Sequence, residues 1–296
     1  LLREGAGTAA YNVLLKIRLP RVLAAAVMGG TLSVSGFLLQ TFFRNPIAGP
    51  YVLGVSSGAK LAVGAVMIFG MKLWGRVPFG AVMTAAFVGA MLCASFVMIV
   101  SRKIHSMAML LVVGMMIGNV CSAATDFFVT FAKESDIANL TSWSMGSFSA
   151  VSWGNLRICL AVIAVCLLLC LLLAKPICAN QFGEHYAASM AVNVRRFRAA
   201  LIGLSCLLAA CVTALVGPIS FVGIAVPYMT KKLLGTAKPM AVLPGCFLLG
   251  GVFCMACDWI ARTAFSPTEL AISTVTAFFG APVVIVMALK RGGGHR

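Results

Sequence analysis

Acidic residues are scarce in this chain. Seven Asp and Glu stand against 23 Lys and Arg, and charged residues of every kind make up 10% of the 296 positions. A soluble domain carries about a quarter charged residues, so a soluble globular protein is excluded. Histidine is scarcer still: His105, His185 and His295 sit far apart, each in a loop. No H-E-x-x-H motif occurs, and no nucleophile is paired in sequence with a base. The chain therefore offers no catalytic set and no metal-ligand set of its own. The phosphate-binding pattern G-x-x-x-x-G-K-[ST] is absent too, so the chain does not hydrolyse ATP itself. No low-complexity linker and no shift in composition marks a second domain.

What is abundant is apolar sequence. Hydrophobic residues form 61% of the chain and the mean hydropathy is +1.03. They fall in runs of about 20 residues, the length that crosses a bilayer as a helix. The expected fold is an all-α polytopic transmembrane bundle. The net charge of +16 belongs to short loops between spans, as the positive-inside bias requires. Nucleic acid is not an expected partner, because no basic patch carries interleaved aromatics; the lipid bilayer is. The 11 cysteines lie mostly in apolar runs and read as small hydrophobes. Cys254 and Cys257 have CxxC spacing but lack a second pair or a nearby histidine, so no metal is expected there.

The first clear span is Val22–Phe43, free of charge and carrying Gly29, Gly30, Ser33, Ser35 and Gly36, small residues that let membrane helices approach closely. Residues 1–17 read as an extracytoplasmic approach segment. Further helices are expected over 51–70, 79–100, 107–131, 153–174, 199–217, 220–234, 241–260 and 271–289, about nine in all. The run at 220–234 is short for a span and decides the sidedness of every later loop. Counted as a span, it leaves thirteen Lys and Arg on the side of residues 41–50 and nine on the other. The richer side, with the C-terminus, is then cytoplasmic. Lys60 and Asp126 are charges inside apolar spans. An ion-coupled secondary transporter would need such groups at mid-membrane, and this alternative class stays open at this point.

Several motifs occur in order. R-L-P-R at 18–21 is followed by G-x-x-L-x-x-S-G-x-x-x-Q at 29–40 and R-N-P-I-A-x-P-x-x-L-G-V-S-x-G-A at 44–59. In this the chain resembles the FecCD family of ABC-transporter permeases, membrane subunits of importers for iron–siderophores, haem, cobalamin and some oxyanions. The resemblance implies one permease domain over residues 1–296, lacking the N-terminal helix that would make ten. It implies partners: two ABC ATPase subunits holding ATP and Mg, a second permease copy or homologue, and an extracytoplasmic substrate-binding protein. It places the chain in a bacterial cytoplasmic membrane, with an iron–siderophore as the first expectation for cargo.

The resemblance also implies site residues. The segment 175–198 becomes a cytoplasmic coupling loop of short helices resting on the ATPase, with Glu184 and Ala187 in the G-E-x-x-A pattern and Ala191 where the family has glycine. A cytoplasmic gate is implied at Asn45 and Ile47, with Ser106 and Met107 opposite. Arg18 and Arg21 would stand in water at the outer mouth, with Arg262 on the same side, and receive carboxylates of the binding protein. Read without the resemblance, these arginines could equally anchor the helix at the interface, and Asp258 and Arg262, spaced i,i+4, can pair on one helix face. The run 217–227, G-P-I-S-F-V-G-I-A-V-P, is either a pathway segment or a kinked packing helix.

Overall fold

A computed structural model describes residues 9–74, 77–101, 103, 104 and 106–292. Arg3, Arg76, Arg102 and Arg296 of the loop-charge count, and His105 and His295, lie outside the described residues.

The first helix is longer than expected. α1 (Ala9–Val13), a π segment (Leu14–Arg18) and α2 (Leu19–Phe43) form one apolar helix over Tyr11–Phe43. The residues read as an approach segment are therefore partly helix, and Arg18 and Pro20 lie inside it rather than at its start. Pro20 explains the π turn. Proline has no N–H and its ring crowds the carbonyl four residues back, and widening the preceding turn relieves both. The Leu19 N–H donates to the Leu14 carbonyl, five residues away.

α2 is buried on every side from Met28 to Gln40, the mark of a helix at the centre of a bundle. It packs on α10 (Val194–Val216), α11 (Val222–Leu234) and α12 (Pro239–Thr263). These crossings are close because glycines meet. A Cβ at Gly36 would overlap the Gly223 carbonyl of α11, and Gly29 of α2 lies directly on Gly250 of α12. Around this centre stand α3 (Val55–Trp74), α4 (Phe79–Ser101), α5 (Met107–Thr130), α7 (Trp153–Leu172) and α13 (Ile272–Gly292). Their apolar outer faces, such as Val120 and Phe127 on α5, are exposed and suit lipid or a second copy.

Seven of the described helices are long and apolar enough to cross a membrane, and Val55–Gly70 is a shorter apolar one. α11, with 13 residues, rises only about 20 Å. The residues 217–221 before it are not helical, and Phe221 lies in the left-handed region, φ +64°. At one end Gly217, with φ +78°, packs under the Trp143 carbonyl. At the other, the Gln181 amide donates to the Ala237 carbonyl at 3.0 Å, joining the chain beyond α11 to the coupling segment. The expected count of about nine is approximate: it is reached only if α3 and α11 are added to the seven.

One connection expected as a polar loop contains helix, and the coupling segment holds short helices, as the resemblance implies. The polar stretch 132–152 holds α6 (Glu134–Ser144), and the coupling segment holds α8 (Ala174–Gln181) and α9 (Glu184–Ser189). α10 begins at Val194, so Arg195, Arg196 and Arg198 lie in its first turns; Asn193 caps it, its side chain accepting from the Arg196 N–H at 3.1 Å.

Candidate functional site

The two ends of the bundle carry different chemistry. At the end expected to face outward Arg21 is 9% exposed and held by two carboxylates. Its Nη2 donates to Asp258 Oδ1 at 2.9 Å and its Nε to both Asp258 oxygens at 3.2 Å. Its Nη1 donates to Glu269 Oε1 at 3.1 Å. Arg262 Nε lies 3.5 Å from Asp258 Oδ2, an ion-pair distance without an aligned hydrogen bond. Two cations and two anions thus balance, in fork geometry that suits guanidinium and carboxylate.

This corrects the expectation that Arg21 faces water at the mouth. Arg21 is turned into the protein, where it ties α2 to α12 and to the loop bearing Glu269. Arg18, one turn earlier, is exposed, and Arg262 is partly so. The i,i+4 spacing revealed the Asp258–Arg262 pair; nothing local announced that Arg21 would share it across 237 positions.

At the opposite end α2 closes with Arg44 in the left-handed region, φ +48°. The Asn45 N–H returns to the Gln40 carbonyl at 3.1 Å and the Arg44 N–H to Thr41 at 3.4 Å, the paired bonds of a Schellman cap. Asn45 Oδ1 then accepts from the Ile47 N–H at 3.1 Å, stiffening the turn, and Ile47 is 46% exposed. Ser106 caps α5, its hydroxyl accepting from the Met109 N–H at 3.4 Å; Met107 beside it is half-buried. All four residues expected at a gate lie at helix ends or in a fixed turn.

The coupling segment reaches the same end. A cavity of about 370 Å³ is lined by Gln40, Arg44 and Asn45, by Asn180 and Gln181 of α8, and by Lys231 of α11. Lys231 Nζ also lies 5.1 Å from the centre of the Phe37 ring, a cation–π distance. Asn180 and Gln181 fall in the expected coupling segment and Lys231 near the end of the run 220–234, but their convergence on one cavity was not expected from sequence.

Glu184 opens α9 and Ala187 is fully buried beneath it. The helix ends in a second Schellman cap. The Val192 N–H donates to the Ala187 carbonyl and the Ala191 N–H to Ala188, both at 3.1 Å. Ala191 has φ +59°, so the turn survives the loss of glycine and alanine bears the strain. Ala191→Gly is expected to stabilise this segment by about 1 kcal/mol. Amide exchange over residues 184–193 should slow accordingly; unchanged exchange would mean that the left-handed turn is not the populated one.

Cys254 and Cys257 are buried within α12, and the described residues contain no group of three or more His, Cys, Asp or Glu able to hold a metal. Lys60 is half-buried on α3 and Asp126 exposed on α5, and no ion pair joins them among the described residues.

Comparison with known proteins matches residues 1–290 to the FecCD transport family. The chain belongs to the FecCD transport family. It is 34% identical over 284 residues to the hemin transport system permease HmuU of Yersinia pestis, covering 96% of this chain and 85% of that one. It is 34% identical over 277 residues to the vitamin B12 import permease BtuC of Escherichia coli O157:H7, covering 94% and 83%. Among solved structures, a metal-chelate-type ABC transporter in an inward-facing conformation superposes with a TM-score of 0.87 at 29% identity, over 97% of this chain and 91% of that one. The chain is accordingly a multi-pass membrane permease of an ABC importer family, a transport subunit. The motifs at 18–21, 29–40 and 44–59 that carry the FecCD resemblance are the elements that build both ends of the site.

Proposed function

We propose that this FecCD permease imports an iron–siderophore across a bacterial cytoplasmic membrane. Two copies, or one copy with a related permease, enclose the path. Two ATPase chains with ATP and Mg drive it, and an extracytoplasmic binding protein delivers the cargo. What supports the coupled reading is the convergence of the 44–47 turn, α8 and the end of α11 on one cavity, which lets a push on α9 reach the turn within one layer of contacts. In this reading Glu184, Ala187 and Ala191 meet the ATPase, and Asn45, Ile47, Ser106 and Met107 close the inner gate. Arg18 and Arg262 meet the binding protein, while Arg21 holds that surface in place. HmuU and BtuC are named for hemin and vitamin B12, and those cargoes fit this chain as well.

Reconstitution in proteoliposomes tests the proposal. Uptake of a ferric siderophore should require the ATPase, ATP and the binding protein. Uptake without the ATPase would sink the importer reading, and uptake of hemin or cobalamin alone would replace the cargo. In the same assay Glu184→Arg should leave ATP hydrolysis uncoupled from uptake. Arg18→Glu should slow docking and flatten its salt dependence. Cysteines at 45 and 106 on the two copies should crosslink in a closed state and stop transport. A variant indistinguishable from the parent removes that residue from its role.

A further inference from the structure

The outer end holds a polar feature that the transport reading leaves unused. A cavity of about 410 Å³ lies between α6 and the ends of α3, α4 and α10. One wall is apolar and includes Phe79 and Leu215; the other presents Asp136, Asn139 and Ser142 of α6, with Ser147 and Ser149 beyond it. Trp143 also lines the cavity. This size and mixed lining are those of a small-molecule site.

Asp136 is the unusual member. It is 5% exposed, yet among the described residues its carboxylate takes part in no hydrogen bond or ion pair. Lys133, which precedes α6, is exposed and does not pair with it. The Asp136 oxygens are not among the fully buried unpartnered atoms, so the carboxylate faces the space of the cavity it lines. Its place in the first turn of α6 lets the helix dipole favour the anion, but a dipole end is weak compensation for a full charge. An anion facing a cavity with an apolar opposite wall favours a cation with a hydrocarbon part.

We propose that this cavity binds an organic cation through a primary ammonium group. The ammonium would sit against Asp136, its other protons directed to the hydroxyl and amide oxygens of the same wall, and its hydrocarbon part against Phe79 and Leu215. An inorganic ion is the poorer fit, because it uses no apolar wall and has a single carboxylate to neutralise it. Trp143 adds an aromatic face, which attracts cations. The ammonium could belong to a free amine or to the headgroup of phosphatidylethanolamine.

Such an occupant would act on a junction. Gly217 packs against the Trp143 carbonyl, and the Ser147 N–H donates to the Val216 carbonyl at 2.8 Å. α6 is thus pinned to the elbow between α10 and α11, and filling the cavity stiffens that elbow. This does not depend on which cargo the permease carries.

The test is thermal unfolding of the purified full chain in detergent, with n-butylammonium against n-butanol of equal length. A midpoint that rises and saturates with butylammonium, stays flat with butanol, and loses its response in Asp136→Asn supports the site. The same variant without ligand should unfold no lower than the parent, since it removes an unpaired charge. Equal shifts with amine and alcohol, or a response that survives Asp136→Asn, overturn the proposal. Should that variant fail to fold, the amine–alcohol contrast on the parent decides alone. Nanodiscs separate the sources. If phosphatidylethanolamine nanodiscs raise the midpoint above phosphatidylglycerol ones and abolish the butylammonium response, the headgroup is the occupant; if the response persists, it is a free amine.

Discussion

Asp258→Asn is expected to destabilise the permease by about 3–5 kcal/mol, the loss seen when one partner of a buried ion pair is removed. Asp258 is 3% exposed and is shared by Arg21 and Arg262. Asparagine keeps the shape and removes the charge, leaving Arg21 buried with one remaining carboxylate. Glu269 cannot replace it, because Glu269 approaches Nη1 and Nη2, while Nε faces Asp258. Glu269→Gln gives the contrast. The side chain of Glu269 is 50% exposed, and a pair of that kind contributes about 1 kcal/mol or less. Chemical or thermal unfolding of both variants in the same detergent should separate them widely. Equal losses would show that the buried carboxylate has no special part in holding α2 to α12.

Gly36→Ala is expected to cost about 1–3 kcal/mol or more, the range for overpacking a tight core. The added methyl group would meet the Gly223 carbonyl. Backbone faces backbone there, so no rotamer can relieve the overlap and α2 and α11 must part. α11 carries Lys231 into the cavity shared with the 44–47 turn, so the separation should also lower coupled transport in whatever protein folds. Gly80→Ala is the control. Gly80 has open space at its Cβ position and sits in the first turn of α4, where alanine is tolerated or slightly better. Folded yield and unfolding midpoint should fall for the first variant and hold for the second. A Gly36→Ala protein as stable as the parent would mean that the two helices do not cross so closely.

Much of this was legible before any coordinates. Length and apolarity of each run set the helices at 79–101 and 107–130 nearly to the residue, because burial in lipid depends on local composition alone. The Asn-Pro turn and the glycines of α2 also announced themselves. Less was legible where the backbone follows a rule with two outcomes. Pro20 could start a helix or sit within one behind a π turn, and the expectation of a start placed Arg18 and Arg21 in water. The substitution of alanine for glycine at 191 left the turn open in sequence; the two hydrogen bonds of the cap and φ +59° settle it.

The sequence by itself determined the class of molecule and the family, since hydropathy and motif spacing are properties of neighbours along the chain. Only the tertiary structure decided that Arg21 belongs to Asp258 and Glu269, and that Asn180, Gln181 and Lys231 share a cavity with the Asn45 turn. It likewise set Asp136 at the wall of a cavity, with no side-chain partner among the described residues. The reason is physical: a charge is settled by whatever lies within a few ångströms of it, and in a bundle built by glycine-to-glycine crossings those neighbours come from helices far away in sequence.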